Sequence, residues 1–150
     1  VIDTIQEVKN QGAQVIIVSF HWGTEKSNIP DDAQKTLAHL AIDQGADLVV
    51  GHHPHVLQGI EKYQGKNIVY SLGNFCFGGN KNPSDKDTMI FQQTFTVENG
   101  QLAEDDVTNI IPCSLSSESG YNNYQPMVLE GSEKERVLQK IEDFSTAINQ

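Results

Sequence analysis

Apolar residues along the chain follow one period in the first third and another beyond it. Val1, Ile2, Ile5 and Val8 are spaced for one face of a helix that Gly12 ends. Val15 to Phe20 is then almost continuously apolar and β-branched, which predicts a strand covered on both faces, with His21 at its end. Pro30 suits the first turn of a second helix that carries Ala33, Leu37, Leu40 and Ala41 on one face and closes at Gly45. Ala46 to Val50 predicts another buried strand, and it runs directly into Gly51-His52-His53-Pro54-His55. Strand, helix and strand together make a βαβ unit. A right-handed crossover lays its strands parallel with both C-terminal ends at one edge, where open α/β sheets bind ligands.

Downstream the pattern turns antiparallel. Ile60–Tyr63 and Asn67–Leu72 flank Gln64-Gly65, which predicts two strands joined by a tight turn. Thr88 to Glu98 alternates in part, and Asn99-Gly100 is a hairpin signal leading into a strand from Gln101 to Ile111. Residues 113–131 are rich in Ser, Asn and Gly, which predicts a surface connection. A capping box from Ser132 to Glu135 opens a last helix with Val137, Leu138, Ile141, Phe144 and Ile148 inward. The fold class expected is therefore α/β, one βαβ unit followed by antiparallel strands and a C-terminal helix, in a single domain over residues 1–150.

Charge narrows the partners. Ten basic against twenty acidic residues give a net charge of -10, which repels phosphate backbones and excludes nucleic acid as the expected partner. The acids are scattered, with short runs such as Glu104-Asp105-Asp106, as on a solvated surface. Two cysteines are too few for a disulfide framework, and Cys76, between Phe75 and Phe77, reads as a small buried residue. No apolar run reaches the length of a membrane span and no signal peptide opens the chain, so a soluble chain is expected. Its start inside a helical pattern suggests a fragment, although removal of an initiator Met would look the same.

Neutral imidazole binds zinc and other late transition metals, provided several ring nitrogens converge from a rigid frame. His21, His52 and His55 meet that condition at the shared edge of the βαβ unit and are the expected metal ligands, zinc or manganese being the candidates. His53 is the weaker member, as readily an exposed or supporting residue, and His39, inside a helix, is structural. Glu25 and Asn74 are the catalytic candidates, the first as ligand partner or base, the second as an amide aimed at the same edge. Each has a plainer reading, a solvated loop residue for Glu25 and a turn cap for Asn74. Trp22 reads first as core packing and second as a ring that excludes water from a metal.

Three phrases carry a resemblance: Val18-Ser19-Phe20-His21-Trp22-Gly23-Thr24-Glu25, Gly45-Ala46-Asp47-Leu48-Val49-Val50-Gly51-His52-His53-Pro54-His55-Val56, and Tyr70-Ser71-Leu72-Gly73-Asn74-Phe75. In order and spacing they resemble the signatures of CapA-type proteins of poly-γ-glutamate capsule synthesis, relatives of the calcineurin-like metallophosphoesterases. The resemblance covers about residues 1–115 and implies the C-terminal half of a four-layer α/β/β/α sandwich. It further implies a histidine site for a divalent metal, in which His21, His52 and His55 match the late motifs. The earlier Asp-x-His, Gly-Asp and Gly-Asn-His motifs do not occur in this sequence, so one copy of the chain does not complete a two-metal site. By resemblance the intact protein is membrane-anchored, extracytoplasmic and placed at the bacterial cell surface, working with the poly-γ-glutamate synthesis machinery or polymer. Two functions follow as expectations: a metal-dependent phosphoesterase or related hydrolase in a longer chain, or a noncatalytic module binding polymer or synthase.

Overall fold

The computed structural model describes residues 1–103 and 107–148. Helix α1 (Ile2–Asn10) is followed by strand β1 (Ile17–His21), helix α2 (Asp32–Asp43) and strand β2 (Leu48–His52). β1 and β2 are parallel, with Ile17 opposite Leu48 and His21 opposite His52, so the βαβ unit forms as its periodicity predicts. Strands β3 (Ile60–Tyr63) and β4 (Lys66–Val69) make the expected hairpin, and positive φ at Gln64 (48°) and Gly65 (78°) supplies the twist that a two-residue turn needs. β4 joins β2 in parallel, giving a four-stranded sheet in the order β1-β2-β4-β3.

The second sheet is antiparallel. β5 (Asp87–Thr94) pairs along its whole length with β8 (Val107–Ser114), and β9 (Met127–Val128) pairs with the end of β8. Asn99-Gly100 does turn a hairpin, but a short one between β6 (Val97–Glu98) and β7 (Gln101–Leu102). The single strand expected from Gln101 to Ile111 is divided, and the acidic run Glu104-Asp105-Asp106 falls outside the described residues. Helix α3 (Gly131–Ile148) begins one residue before Ser132, placing that residue inside the first turn rather than at the cap. The capping box that does form belongs to α2. There the Asp31 carboxylate accepts from the Gln34 backbone N–H at 2.8 Å while Gln34 Oε1 accepts from Asp31 N–H at 3.1 Å, and Pro30 lies just before the cap.

Each face of the first sheet buries a different set of residues. Val49, Ile68 and Tyr70 meet Ile5 of α1 and Ala38, Ala41 and Ile42 of α2, while Leu48 and Val69 meet Met89 of β5 and Val137 and Ile141 of α3. The architecture is thus mixed α/β, with a four-stranded, a three-stranded and a two-stranded sheet and three helices among the described residues. β1 departs from expectation. It is an edge strand, and only the face bearing Val18 and Phe20 is packed; Ile17, at 55% exposure, Ser19 and His21 point the other way and are open. An apolar run therefore marked a strand but not the number of faces covered.

α3 is pinned to β5 by charge as well as by packing. Arg136 grips Asp87 with two bonds of 2.8 and 2.9 Å, and Lys140 donates to both Asp87 and Asp85 at 2.8 Å. Burial would raise the Asp87 pKa, but the bonds from Arg136 and Lys140 outweigh it and hold the carboxyl below the usual range. A depressed folded-state pKa stabilises the fold above the unfolded value of about 3.9, and that contribution is lost as pH falls through the folded value. Asp87→Asn should therefore cost about 2 kcal/mol near neutrality, read by urea unfolding. The gap between variant and parent should shrink on acidification to about pH 2, as the parent's own carboxyl takes its proton.

Candidate metal centre

The C-terminal ends of β1, β2 and β4 lie side by side, and the loops leaving them carry the chemistry. Trp22 closes β1: its backbone N–H donates to His52 O at 3.0 Å and its indole Nε1 to Tyr70 O at 2.9 Å. The indole is buried and stacks on Phe20, ring centroids 4.6 Å apart, so it acts as core and as a clamp. Gly51 makes the clamp fit. Its φ is not positive; a Cβ there would overlap the Tyr70 carbonyl oxygen and the Trp22 indole nitrogen, so close approach, not turning, demands glycine. The Tyr70 hydroxyl in turn donates to Glu61 at 2.6 Å, and burial together with that carboxylate raises its pKa. His39 bonds the same carboxylate at 3.0 Å and stacks on Tyr63 at 3.9 Å, a structural histidine as expected.

Two buried glutamines sew the loop after β1 to the loop after β2. Gln34 Nε2 donates to Gln58 Oε1 at 2.9 Å, Gln58 Nε2 to Ser27 O at 3.0 Å, and Asn28 Nδ2 to Leu57 O at 2.9 Å. Lys26 N–H donates to Pro54 O at 2.7 Å. These bonds place Glu25 against the histidine loop. In that loop His53 (φ 100°) and His55 (φ 61°) both adopt left-handed backbone, a conformation that side-chain-bearing residues hold only where surroundings enforce it.

The outcome is a group of three: donor atoms of Glu25, His53 and His55 all lie within 4.8 Å of one another. Bonds of about 2.1 Å to a tetrahedral cation set donors about 3.4 Å apart, so adjustments of about 1 Å in the exposed Glu25 and the half-buried His53 and His55 would close the set. Asn74 prepares one member. His55 Nδ1 lies 2.7 Å from Asn74 Oδ1, while Asn74 Nδ2 donates back to His55 O at 3.2 Å, leaving Nε2 of His55 free as a ligand atom. The chemistry of the donor set, two imidazoles and a carboxylate with an orienting amide behind, fits zinc or manganese.

Of the residues expected to bind metal, His55 is in this group and His21 stands beside it, its ring 4.6 Å from that of His53. His52 is exposed at the end of β2, opposite His21, and is not in the group. His53, the weaker member on sequence grounds, lies in the group, and its backbone has a positive φ of 100°. Glu25 and Asn74, the catalytic candidates, both reach the site, one as donor and one as the residue orienting His55. A cleft of about 280 Å³ opens next to them, lined by Glu25, His55 and Asn74 from the strand-end loops and by Phe77, Asn80 and Ser84 from the loop that follows, its second wall. Cys76, expected to be buried, is exposed in the loop leading to that second wall, whereas Cys113 is the buried cysteine, its thiol pKa pushed up by burial.

Trp22 is the sole tryptophan, so its fluorescence reports on this clamp. Gly51→Ala should cost about 3 kcal/mol in urea unfolding through overpacking, and shift the emission to the red as the indole is pushed from its pocket.

Comparison with known proteins finds relatives over the part of the chain that carries Glu25, His53, His55 and Asn74. The family described as "Bacterial capsule synthesis protein PGA_cap" matches residues 1–79. The PGA biosynthesis protein CapA of Bacillus subtilis is 53% identical over 76 residues, 51% of this chain and 20% of its own length. The capsule biosynthesis protein CapA of Bacillus anthracis is 46% identical over 76 residues, 51% of this chain and 18% of that protein. A probable polyglutamine synthesis accessory protein of Mycobacterium tuberculosis is 40% identical over 60 residues, 40% of this chain and 16% of the relative. The aligned part thus spans about a fifth of the length of these curated relatives. With more than half of its residues matched, and Glu25, His53, His55 and Asn74 all inside the matched segment, the chain belongs to the family of bacterial capsule synthesis proteins.

Proposed function

We propose that this chain serves bacterial capsule production, poly-γ-glutamate being the polymer, through a divalent cation held by Glu25, His53 and His55 beside the cleft. The observation carrying this reading is the convergence of those three donors, within 4.8 Å, in the segment matched by the family. The names of the relatives, PGA biosynthesis protein and capsule biosynthesis protein, support the biological role.

Glu25, His53 and His55 would hold the cation, which would supply Lewis-acid chemistry there. The chain's own residues do the rest. Asn74 fixes the ring of His55, the Glu25 carboxylate offsets part of the cation's charge, and the bond from Lys26 N–H to Pro54 O keeps the two ligand loops together. Three protein donors would hold a cation with the ligand number of catalytic and not of closed structural sites. We accordingly favour a site that acts on or grips a ligand within a larger CapA-type protein, whose sandwich fold, membrane anchorage, extracytoplasmic placement and contacts with the synthesis machinery are part of this proposal. Among the described residues no helix is long and apolar enough to cross a membrane.

Elemental mass spectrometry of the purified chain tests the site. Near-stoichiometric zinc or manganese is expected in the parent, and its loss in the triple variant Glu25→Ala, His53→Ala, His55→Ala. The pair His21→Ala, His52→Ala should retain it. Retention by the first variant and loss by the second would move the site to the strand ends. No metal in the parent after incubation with either ion would favour a noncatalytic binding module.

A further inference from the structure

The ligand-bearing wall of the cleft lies inside the segment matched by the family, but Asn80, Pro83, Ser84 and Asp85 of the opposite wall lie beyond residue 79. That second wall has no secondary structure of its own, since the chain runs from Ser71 to Lys86 without a named strand or helix. Loops of this length hold a shape only when their backbone groups are bonded from outside. Here the support comes from the far end of the chain. Asn122, 3% exposed, donates from Nδ2 to Phe77 O at 2.8 Å and to Asn80 O at 3.1 Å, and its backbone N–H donates to Lys81 O at 2.7 Å.

Asn122 is fixed in turn. Its Oδ1 accepts from Tyr124 N–H at 2.9 Å, and the segment around it is tied together by buried Ser116, whose Oγ accepts from the Glu118 and Asn123 N–H groups and has the Tyr121 carbonyl within donating distance at 2.9 Å. From the other side, Lys86 Nζ bridges Asn82 Oδ1 and Ser119 O. The surface connection expected over residues 113–131 is largely exposed and irregular between β8 and β9, and it is tied together by these side-chain bonds. What they support touches the site: the Phe77 ring lies 5.1 Å from that of His55, and Asp85 is held by Lys140 at 2.8 Å.

The charge of the cleft selects a class of ligand. Its one lysine, Lys26, has no hydrogen bond or ion pair from its ammonium to any described residue, while Asp85 is neutralised by Lys140. A cation at Glu25 would leave the cleft with net positive charge in a chain of net charge -10. We propose that the loop over residues 77–85 is the selective wall of this cleft, that Asn122 is the positioning residue that holds it, and that the ligand presents an oxyanion, phosphate or carboxylate, to Lys26. The inference rests on the metal reading for only one of the two positive charges.

The test uses the whole chain labelled with nitrogen-15, and methylphosphonate and glutarate as probes, with and without zinc. Saturable shifts are expected at the backbone amides of Gly79, Asn80 and Ser84, and the tighter probe identifies the preferred oxyanion. Asn122→Ala, and Pro83→Gly as a variant that loosens the wall without opening a buried site, should each weaken the tighter probe by about fivefold or more through lost preorganisation. Zinc affinity, measured by competition with a chromophoric chelator, should stay within about twofold, a split that general destabilisation would not give. Lys26→Ala should weaken both probes with no change in the unfolding midpoint. The proposal is overturned if neither probe moves the wall amides of the parent, or if both wall variants bind like the parent. Failure of the parent to hold zinc while the amides still respond would remove the metal reading and leave this one standing.

Discussion

Three strand ends are held in one place by a single side chain. The Trp22 indole, at the end of β1, reaches across Gly51 of β2 to the carbonyl of Tyr70, just past β4, while its backbone N–H takes the carbonyl of His52. The bond is buried, so leaving its donor unmade would cost about 1–3 kcal/mol, enough to make the arrangement obligatory for a small domain. Every residue of the candidate centre leaves the fold within a few positions of that clamp: Glu25 after β1, His53 and His55 after β2, Asn74 after β4. The site is therefore built on a sheet edge whose spacing is set by packing, with loops stitched by Gln34, Gln58 and Asn28. Such a frame can hold left-handed histidines that an unsupported loop would release.

The same edge has an open side. Ile17, Ser19 and His21 share the uncovered face of β1, and His21 stands next to His53 without belonging to the donor group. The cleft lies against Phe77 and the loop that Asn122 holds. Glu25, His53 and His55 thus come from the segment matched by the family, while Asn80, Pro83, Ser84 and Asp85 of the cleft lie beyond it.

How far the sequence discloses this depends on whether a feature has a period. The βαβ unit, the Gln64-Gly65 turn, the antiparallel second half and the final helix were legible because burial repeats every two or every three to four residues, and turns have their own chemistry. His55, Glu25 and Asn74 were legible as candidates because they follow strand ends. The choice between His52 and His53 was not, since it turns on a φ of 100° that no pattern signals. Neither was the uncovered face of β1, because an apolar strand reads alike whether one or two faces are buried. Asn122 was invisible for a further reason: it bonds loop carbonyls of Phe77 and Asn80, and backbone acceptors have no residue identity to read.

A cation at the point between Glu25, His53 and His55 is located directly by a zinc-soaked crystal read at the zinc absorption edge. The account predicts one anomalous peak bonded to a ring nitrogen of each of those two histidines and to a Glu25 carboxylate oxygen, with the His55–Asn74 bond kept. A peak bonded to His21 and His52 instead, or none at this edge of the sheet, would contradict it.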